Sequence, residues 1–336
     1  MITINRFLLT LHILFFLSFS SLGLAQNLQN RAGKILYPII VNGKWGYIDR
    51  NGAVVVAPKY DKAWRFYGDL GCVGLNKKWG YVDNTGEIVI SIRFDEARDF
   101  YDDAAAVQVG GKWGFIDKKG NFIIEPRFDR PADFSEGLTE VVINGRGCYI
   151  NKSGSVMITL PPGSRHMNSF EEGLAAVKFQ DNWGYIDKAG ETIIKPHFML
   201  AESFSEGLAS ILTEENKRGF IDNKGKIVIP ARFDRASNFS EGLALIEIDG
   251  KHGYIDKEGK IAIAPSFDWA TDFSEGLASI KVADKWGYID KSGKIVIQPQ
   301  FEEAEAFSGG LAWVENNGEY QYIDKNGIMI WYQNNK

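Results

Sequence analysis

Cysteine is almost missing from this chain: 336 residues contain two, Cys72 and Cys148. That excludes a small disulfide-stapled scaffold. The two fall at non-equivalent positions of the repeat described below, so two buried free thiols are expected. Histidine is nearly as scarce, at four. His166, His197 and His252 are scattered without ligand spacing, and no metal site is expected. Net charge is small, −5 from 43 acids and 38 bases. A non-specific nucleic-acid binder needs a basic surface, so that class is excluded. No apolar run after residue 25 approaches the roughly 18 residues of a membrane span. Gly-rich phosphate loops are also missing, because the Gly-x-x-Gly fragments are turn glycines a repeat apart. No cofactor is expected.

What is abundant is glycine, at 36 residues, and aromatic side chains, at 13% with nine tryptophans. Hydrophobic residues reach 45% and charged residues 24%, the balance of a folded protein with a large core. The N-terminus stands apart from this. Met1–Arg6 carries one positive charge, Phe7–Ser20 is apolar, and Gly23-Leu24-Ala25 puts small residues ahead of Gln26. That is the pattern of a cleaved secretory signal over residues 1–25, too short to span a bilayer. No cysteine follows it, which argues against a lipoprotein anchor. Residues 26–336 are expected to form one exported array, periplasmic, surface-held or secreted.

Internal repetition dominates that array. A marker Asp closes a Tyr-Ile-Asp triplet at Asp49, Asp83, Asp117, Asp187, Asp222, Asp256, Asp290 and Asp324, with Asn151 in the fourth copy. The steps are 34, 34, 34, 36, 35, 34, 34 and 34 residues. A glycine stands three residues after every marker, and a Phe 17 residues after most of them. The two long steps gain their residues between predicted strands, near Pro161–Ser164 and Thr213–Lys217.

Each copy reads as three short strands. In Gly276–Phe301 the run Leu277–Val282 alternates, Lys285–Asp290 follows a polar turn, and Ile295–Ile297 follows Asp290–Gly293. Asp at the first and Gly at the fourth turn position fit a turn ending at positive φ. Pro299 is expected to stop the third strand, and Pro299–Phe307 to be an irregular connector. Marker +5 to +7 is apolar throughout (Val54-Val55-Val56, Ile295-Val296-Ile297), which predicts a third strand buried on both faces.

The hexapeptides Lys44–Asp49, Lys78–Asp83, Lys112–Asp117 and Lys285–Asp290, with Glu125-Pro126-Arg127-Phe128-Asp129 and Phe134-Ser135-Glu136-Gly137-Leu138, resemble the WG-repeat (KWG-repeat) family over roughly residues 35–332. Four copies depart from it, with Gly147-Cys148, Arg218-Gly219, His252-Gly253 and Tyr320-Gln321 in the Trp-Gly slot. The family is widespread in bacteria and regarded as a repeat module without established enzymatic activity. The resemblance therefore implies a binding or scaffolding role.

Candidate site residues are few. The marker Asp residues, and Glu136, Glu172, Glu206, Glu241 and Glu275, recur in register, whereas an active site is one asymmetric constellation. They are read as turn residues, and no catalytic residue is assigned. Lys44, Lys78, Lys112 and Lys285 are read as a solvated rim. Trp45, Trp79, Trp113, Trp183 and Trp286 share the repeated slot and are expected in the core, shallower toward the C-terminus. Exposed, they would instead be a ligand platform, together with Trp64 and Trp269, which lie outside the slot.

The expectation is an all-β array of nine three-stranded antiparallel units, an open superhelical solenoid, with a closed β-propeller as the alternative. The expected function is a non-catalytic exported scaffold binding protein or cell-surface components. The alternatives are a carbohydrate-binding module using exposed aromatics, and an enzyme sited at the irregular fourth repeat, Pro161–Phe170.

Overall fold

The computed structural model describes residues 35–130, 132–162, 164 and 166–333. The expected signal segment and its cleavage point lie outside the described residues. Strands, turns and loops make up all of the described chain, arranged as nine antiparallel sheets with one marker each. The first sheet, blade 1, comprises β1 (Tyr37–Val41), β2 (Lys44–Ile48) and β3 (Val54–Tyr60). Blade 2 comprises β4 (Lys62–Tyr67), β5 (Leu70–Leu75), β6 (Lys78–Asp83) and β7 (Ile88–Phe94), paired in sequence order.

The three predicted strands per copy are all present, and the predicted connector supplies a fourth. Six blades carry this extra strand at one edge, as β4 does in blade 2. It was hidden in the sequence because its pairing is interrupted. Ala63 pairs with Val73 and Phe66 with Gly71, so Trp64 and Arg65 bulge out between them and break the alternation.

The array closes into a ring, the alternative rather than the leading expectation. At each blade junction the glycine after the marker lies over an aliphatic residue of the preceding blade. A Cβ on Gly86 would meet the Val56 side chain at 2.6 Å, and one on Gly327 would meet Ile297 at 3.4 Å. The first blade follows the same rule: a Cβ on Gly52 would meet the Ile330 carbonyl of blade 9 at 2.5 Å. Tyr322 and Tyr37 pack edge to face at 5.5 Å, and Tyr322 Oη donates to the Pro38 carbonyl at 2.9 Å. Ile39, Ile48, Leu311 and Tyr322 form one buried cluster across the seam. No strand exchange is needed for this. An open array would leave the apolar faces of blades 1 and 9 in water, and closure removes both.

β4 and its equivalents lie on the inside of the ring. Arg65 of blade 2 pairs with Glu305 of blade 9, two blades away across the axis side of blade 1. β7 and its equivalents are therefore outermost, and this corrects two expectations. Marker +5 and +6 are exposed or half-buried (Val54 56%, Ile88 49%, Val89 44%), and only +7 is buried (Val56 3%, Ile90 2%). Pro299 lies within a strand, Ile295–Phe301, because an outer edge strand has no ladder partner to lose.

The glycine of the Trp-Gly pair has its own cause. Trp79 pairs with Phe94 and Tyr81 with Ile90, so two extra residues of β7 arch over Gly80. A Cβ there would sit 2.6 Å from the Ile90 carbonyl and 2.8 Å from the Ile92 amide. Seven blades repeat that arch, and all seven keep the glycine. In blades 4 and 9 the outer strand pairs without it, and Cys148 and Gln321 take the position.

Candidate functional site

The recurring acids are used up by the framework. Asp83 Oδ1 accepts the amides of Thr85 and Glu87 at 2.9 and 3.0 Å, and the other markers repeat the pattern. The Glu of each Phe-Ser-Glu-Gly turn reaches the next blade. Glu136 accepts the Gly173 amide and pairs with Lys188 at 2.9 Å, and Glu206 accepts the Gly242 amide and pairs with Lys257 at 3.0 Å. The preceding serine helps: Ser240 Oγ donates to the Phe273 carbonyl at 2.6 Å. The other end of the ring has its own pins. Lys78 pairs with Asp95 at 2.5 Å while Asp95 also accepts the Gly110 amide at 2.7 Å, bonds that hold that carboxyl below its usual range. These acids serve as inter-blade fasteners as well as turn formers, a role the sequence reading missed.

The slot tryptophans divide. Trp79 and Trp286 are buried at 7%, whereas Trp45, Trp113 and Trp183 are half-buried. The expected gradient is absent: His252 and Trp286 of the C-terminal half are as buried as Trp79, whereas Arg218 and Tyr320 are half-buried. Burial follows what the neighbour places on top. Trp64 stacks on Trp79 at 5.9 Å, and Trp269, still 40% exposed, covers His252 at 4.9 Å. The tyrosines two residues before the marker are the deeper core. Those of blades 1 to 8 pack against the next blade's Phe, as Tyr81 does on Phe100 at 4.9 Å, and Tyr81 Oη donates to the Arg98 carbonyl at 2.6 Å. Cys72 and Cys148 are buried and free, as expected.

What remains asymmetric is the pair of bulged residues on each inner strand, which face the axis. In blades 6 to 8 the acids among them find partners, since Glu202 holds Arg218 at 3.1 Å and Ser237 Oγ donates to Asp272 at 2.5 Å, while the Asn238 side-chain oxygen stays buried without one. In blades 3 and 4 the acids do not. Arg98 lies 3.8 Å from Asp133, yet one oxygen of Asp99 and one of Asp133 are sealed from solvent without a hydrogen bond. Burial, then the neighbouring Asp133 charge, pushes the Asp99 carboxyl up to about 8. Burial likewise pushes Glu140 up to about 7, where it accepts from Ser169 Oγ at 3.3 Å. Tyr67 and Tyr101 pack 5.3 Å apart beside them, both hydroxyls shifted upward by burial. Arg98 lies 5.8 Å over the half-buried Trp113. This cluster offers two carboxylic acids able to donate at neutral pH, a guanidinium and an aromatic wall.

A pH dependence follows. A carboxyl raised in the fold stabilises below its unfolded value, near 4, and that stability is lost as pH rises through its folded value. Wild-type stability is therefore expected to fall between pH 5 and pH 9. Asp99→Asn should flatten that fall by about 1.4 kcal/mol or more, the free energy of a tenfold change in proton affinity. Thermal melts of both proteins at the two pH values check it, and parallel curves would refute the assignment.

The repeat model described as "WG containing repeat" matches seven times, over residues 45–146, 183–216, 219–251 and 253–320, more than half of the chain. The chain belongs to the WG-containing repeat family. The stretch between the third and fourth matches, residues 147–182, holds one of the two WG-repeat copies without the arch and its glycine. A depression of about 290 Å³ lies there, lined by Pro161, Pro162, Ser164, Phe179, Gln180, Asn182 and Pro196, none of which titrates. Among curated proteins no sequence matches significantly. Among solved structures, the designed protein Ika8 is similar at 13% identity and TM-score 0.48, covering 79% of this chain and 93% of that one. BamB from Moraxella catarrhalis is similar at 12% and 0.44, covering 82% and 99%. Hsv2p from Kluyveromyces lactis is similar at 10% and 0.44, covering 72% and 97%. None of these scores reaches 0.5, and the propeller assignment rests on this chain's own sheets and on the contacts between its first and last blades.

Proposed function

We propose that this WG-repeat ring is an exported, non-catalytic scaffold that holds a polar protein segment at its axial channel. The observation that carries the reading is the unsatisfied cluster of blades 3 and 4. The recurring acids serve the framework, whereas Asp99 and Asp133 at the axis each keep one buried oxygen without a partner, as Asn238 does in blade 7, a cost a fold retains where another molecule supplies the donor. At the bulge positions that face the axis acids outnumber bases, with Asp99, Asp133, Glu202, Asp272 and Glu305 against Arg65 and Arg98, which favours a segment rich in amide and basic donors.

The carbohydrate alternative keeps one observation in its favour, the exposed ring of Trp269. Binding of the secreted or envelope partner fraction to immobilised protein separates the two. Asp99→Ala with Asp133→Ala is expected to abolish capture while Trp269→Ala leaves it unchanged. The reverse result, with recovery of a glycan, would replace the channel reading by the carbohydrate one.

A further inference from the structure

The belt of inter-blade carboxylates is interrupted at the seam where the ring closes, and the cation that would receive the carboxylate there is left without one. In blades 4, 6, 7 and 8 the turn Glu gives its carboxylate to two groups of the following blade, a turn amide and the Lys just after the marker. Glu241 takes the Gly276 amide at 3.0 Å and Lys291 at 3.0 Å. Glu275 takes the Gly310 amide at 2.9 Å and Lys325 at 3.1 Å. The same Lys also donates to the glutamate's own carbonyl, as Lys325 does to that of Glu275 at 2.8 Å.

Blade 9 carries Gly309 where blades 4 to 8 carry Glu and blade 3 carries Asp102, so no carboxylate is sent to blade 1. Blade 2 also has a glycine there, Gly68, but the matching cation of blade 3, Lys118, pairs with Asp103 of its own blade at 2.7 Å. The two recipients in blade 1 are the Ile35 amide and Arg50, which stands in the marker +1 position of the lysines. The carbonyl is also taken: Tyr37 Oη donates to the Gly309 carbonyl at 2.6 Å. Arg50 is exposed, and its guanidinium lies against Gly310, whose added Cβ would come within 2.6 Å of Nη2. It has no acceptor among the described residues. Residues 26–34, which precede Ile35, contain neither Asp nor Glu.

Arg50, Ile35, Gly309 and Gly310 open onto a cleft of about 680 Å³, whose other charges, Glu241 with Lys291 and Glu275 with Lys325, are already paired. The geometry points to a carboxylate-binding site in this cleft. The ligand is a carboxylate on a short aliphatic arm, arriving where the Glu side chain of the other blades arrives. Arg50 holds it by charge-assisted hydrogen bonds and the Ile35 amide by one more. The cleft exceeds a side chain in size, so the bearer is either a small dicarboxylic acid or an acidic residue of a peptide. The site lies at the seam of blades 8, 9 and 1, apart from the blade 3 and 4 cluster.

Calorimetric titration with glutarate, and separately with an N-acetyl-glutamyl amide, tests it. Saturable binding of either, weakened about tenfold or more by Arg50→Gln and kept by Arg50→Lys, is the expected result. Binding of glutarate alone assigns a free dicarboxylic acid, and binding of the amide alone assigns a peptide. Circular dichroism of Arg50→Gln separates a lost site from a lost fold. The proposal is overturned if neither probe binds, or if a folded Arg50→Gln protein binds as well as the wild type.

Discussion

Tyr322→Ala is expected to cost about 3–5 kcal/mol, the range for emptying a buried aromatic site, and to speed amide exchange in Tyr37–Ile48. Tyr322 is 3% exposed, its ring meets Tyr37, and its hydroxyl donates to Pro38, 284 residues away in sequence. In an open array the last blade would have no such neighbour, and its loss would fray one end alone. In the ring it opens the seam, and both lips lose their shared cluster of Ile39, Ile48 and Leu311. Tyr322→Phe keeps the ring contacts and removes only the hydroxyl, a loss of roughly 0.5–1.5 kcal/mol. Hydrogen exchange read by mass spectrometry decides it. Unaltered protection of β1 and β2 in the Ala variant would mean that the ring is not closed.

Gly80→Ala should be nearly as damaging, at roughly 3 kcal/mol, the upper end of overpacking costs. The added methyl would point at the Ile90 carbonyl and the Ile92 backbone, not at a side chain that can swing aside. β7 would have to flatten its arch, which breaks the pairing of Trp79 with Phe94. Gln321→Ala, at the equivalent position of blade 9, has no arch above it and should change stability by under about 1 kcal/mol. Denaturant midpoints of the two variants compare them directly. Equal and small losses would show that the glycine is dispensable.

The pieces of a blade were legible in the residues. The marker Asp with its glycine three residues later specifies the turn, and all nine of those glycines have positive φ. The Tyr and Phe spacing marks the core, because two aromatics 19 residues apart, 21 in Tyr149–Phe170, meet at about 5 Å on adjacent blades in every copy from Tyr47–Phe66 to Tyr288–Phe307. The inner strand was not legible, since a two-residue bulge erases the alternation by which strands are recognised. The outer strand was misread for a related reason. Val54 and Val55 look like core, but on the outer strand Val54 is exposed and Val55 half-buried, and only Val56 of the three is buried.

The candidate site was less legible still. Trp64, Trp113 and Arg98 were visible as residues, but nothing in a sequence of near-identical repeats marks Asp99 and Asp133 as the two acids without donors. That distinction depends on which bulge faces which across a blade junction, a contact set by the ring and not by the local motif. The same holds at the seam, where Gly309 reads as a harmless departure from Phe-Ser-Glu-Gly until Arg50, 259 residues before it, is brought alongside. Sequence alone determined the repeat, its length, its turns and its all-β character, because these follow from local backbone preferences and short-range spacing. The tertiary structure decided closure, burial of each tryptophan and the two unsatisfied sites. Those depend on how the first and last blades meet and on which side chains the neighbouring blade lays over each position.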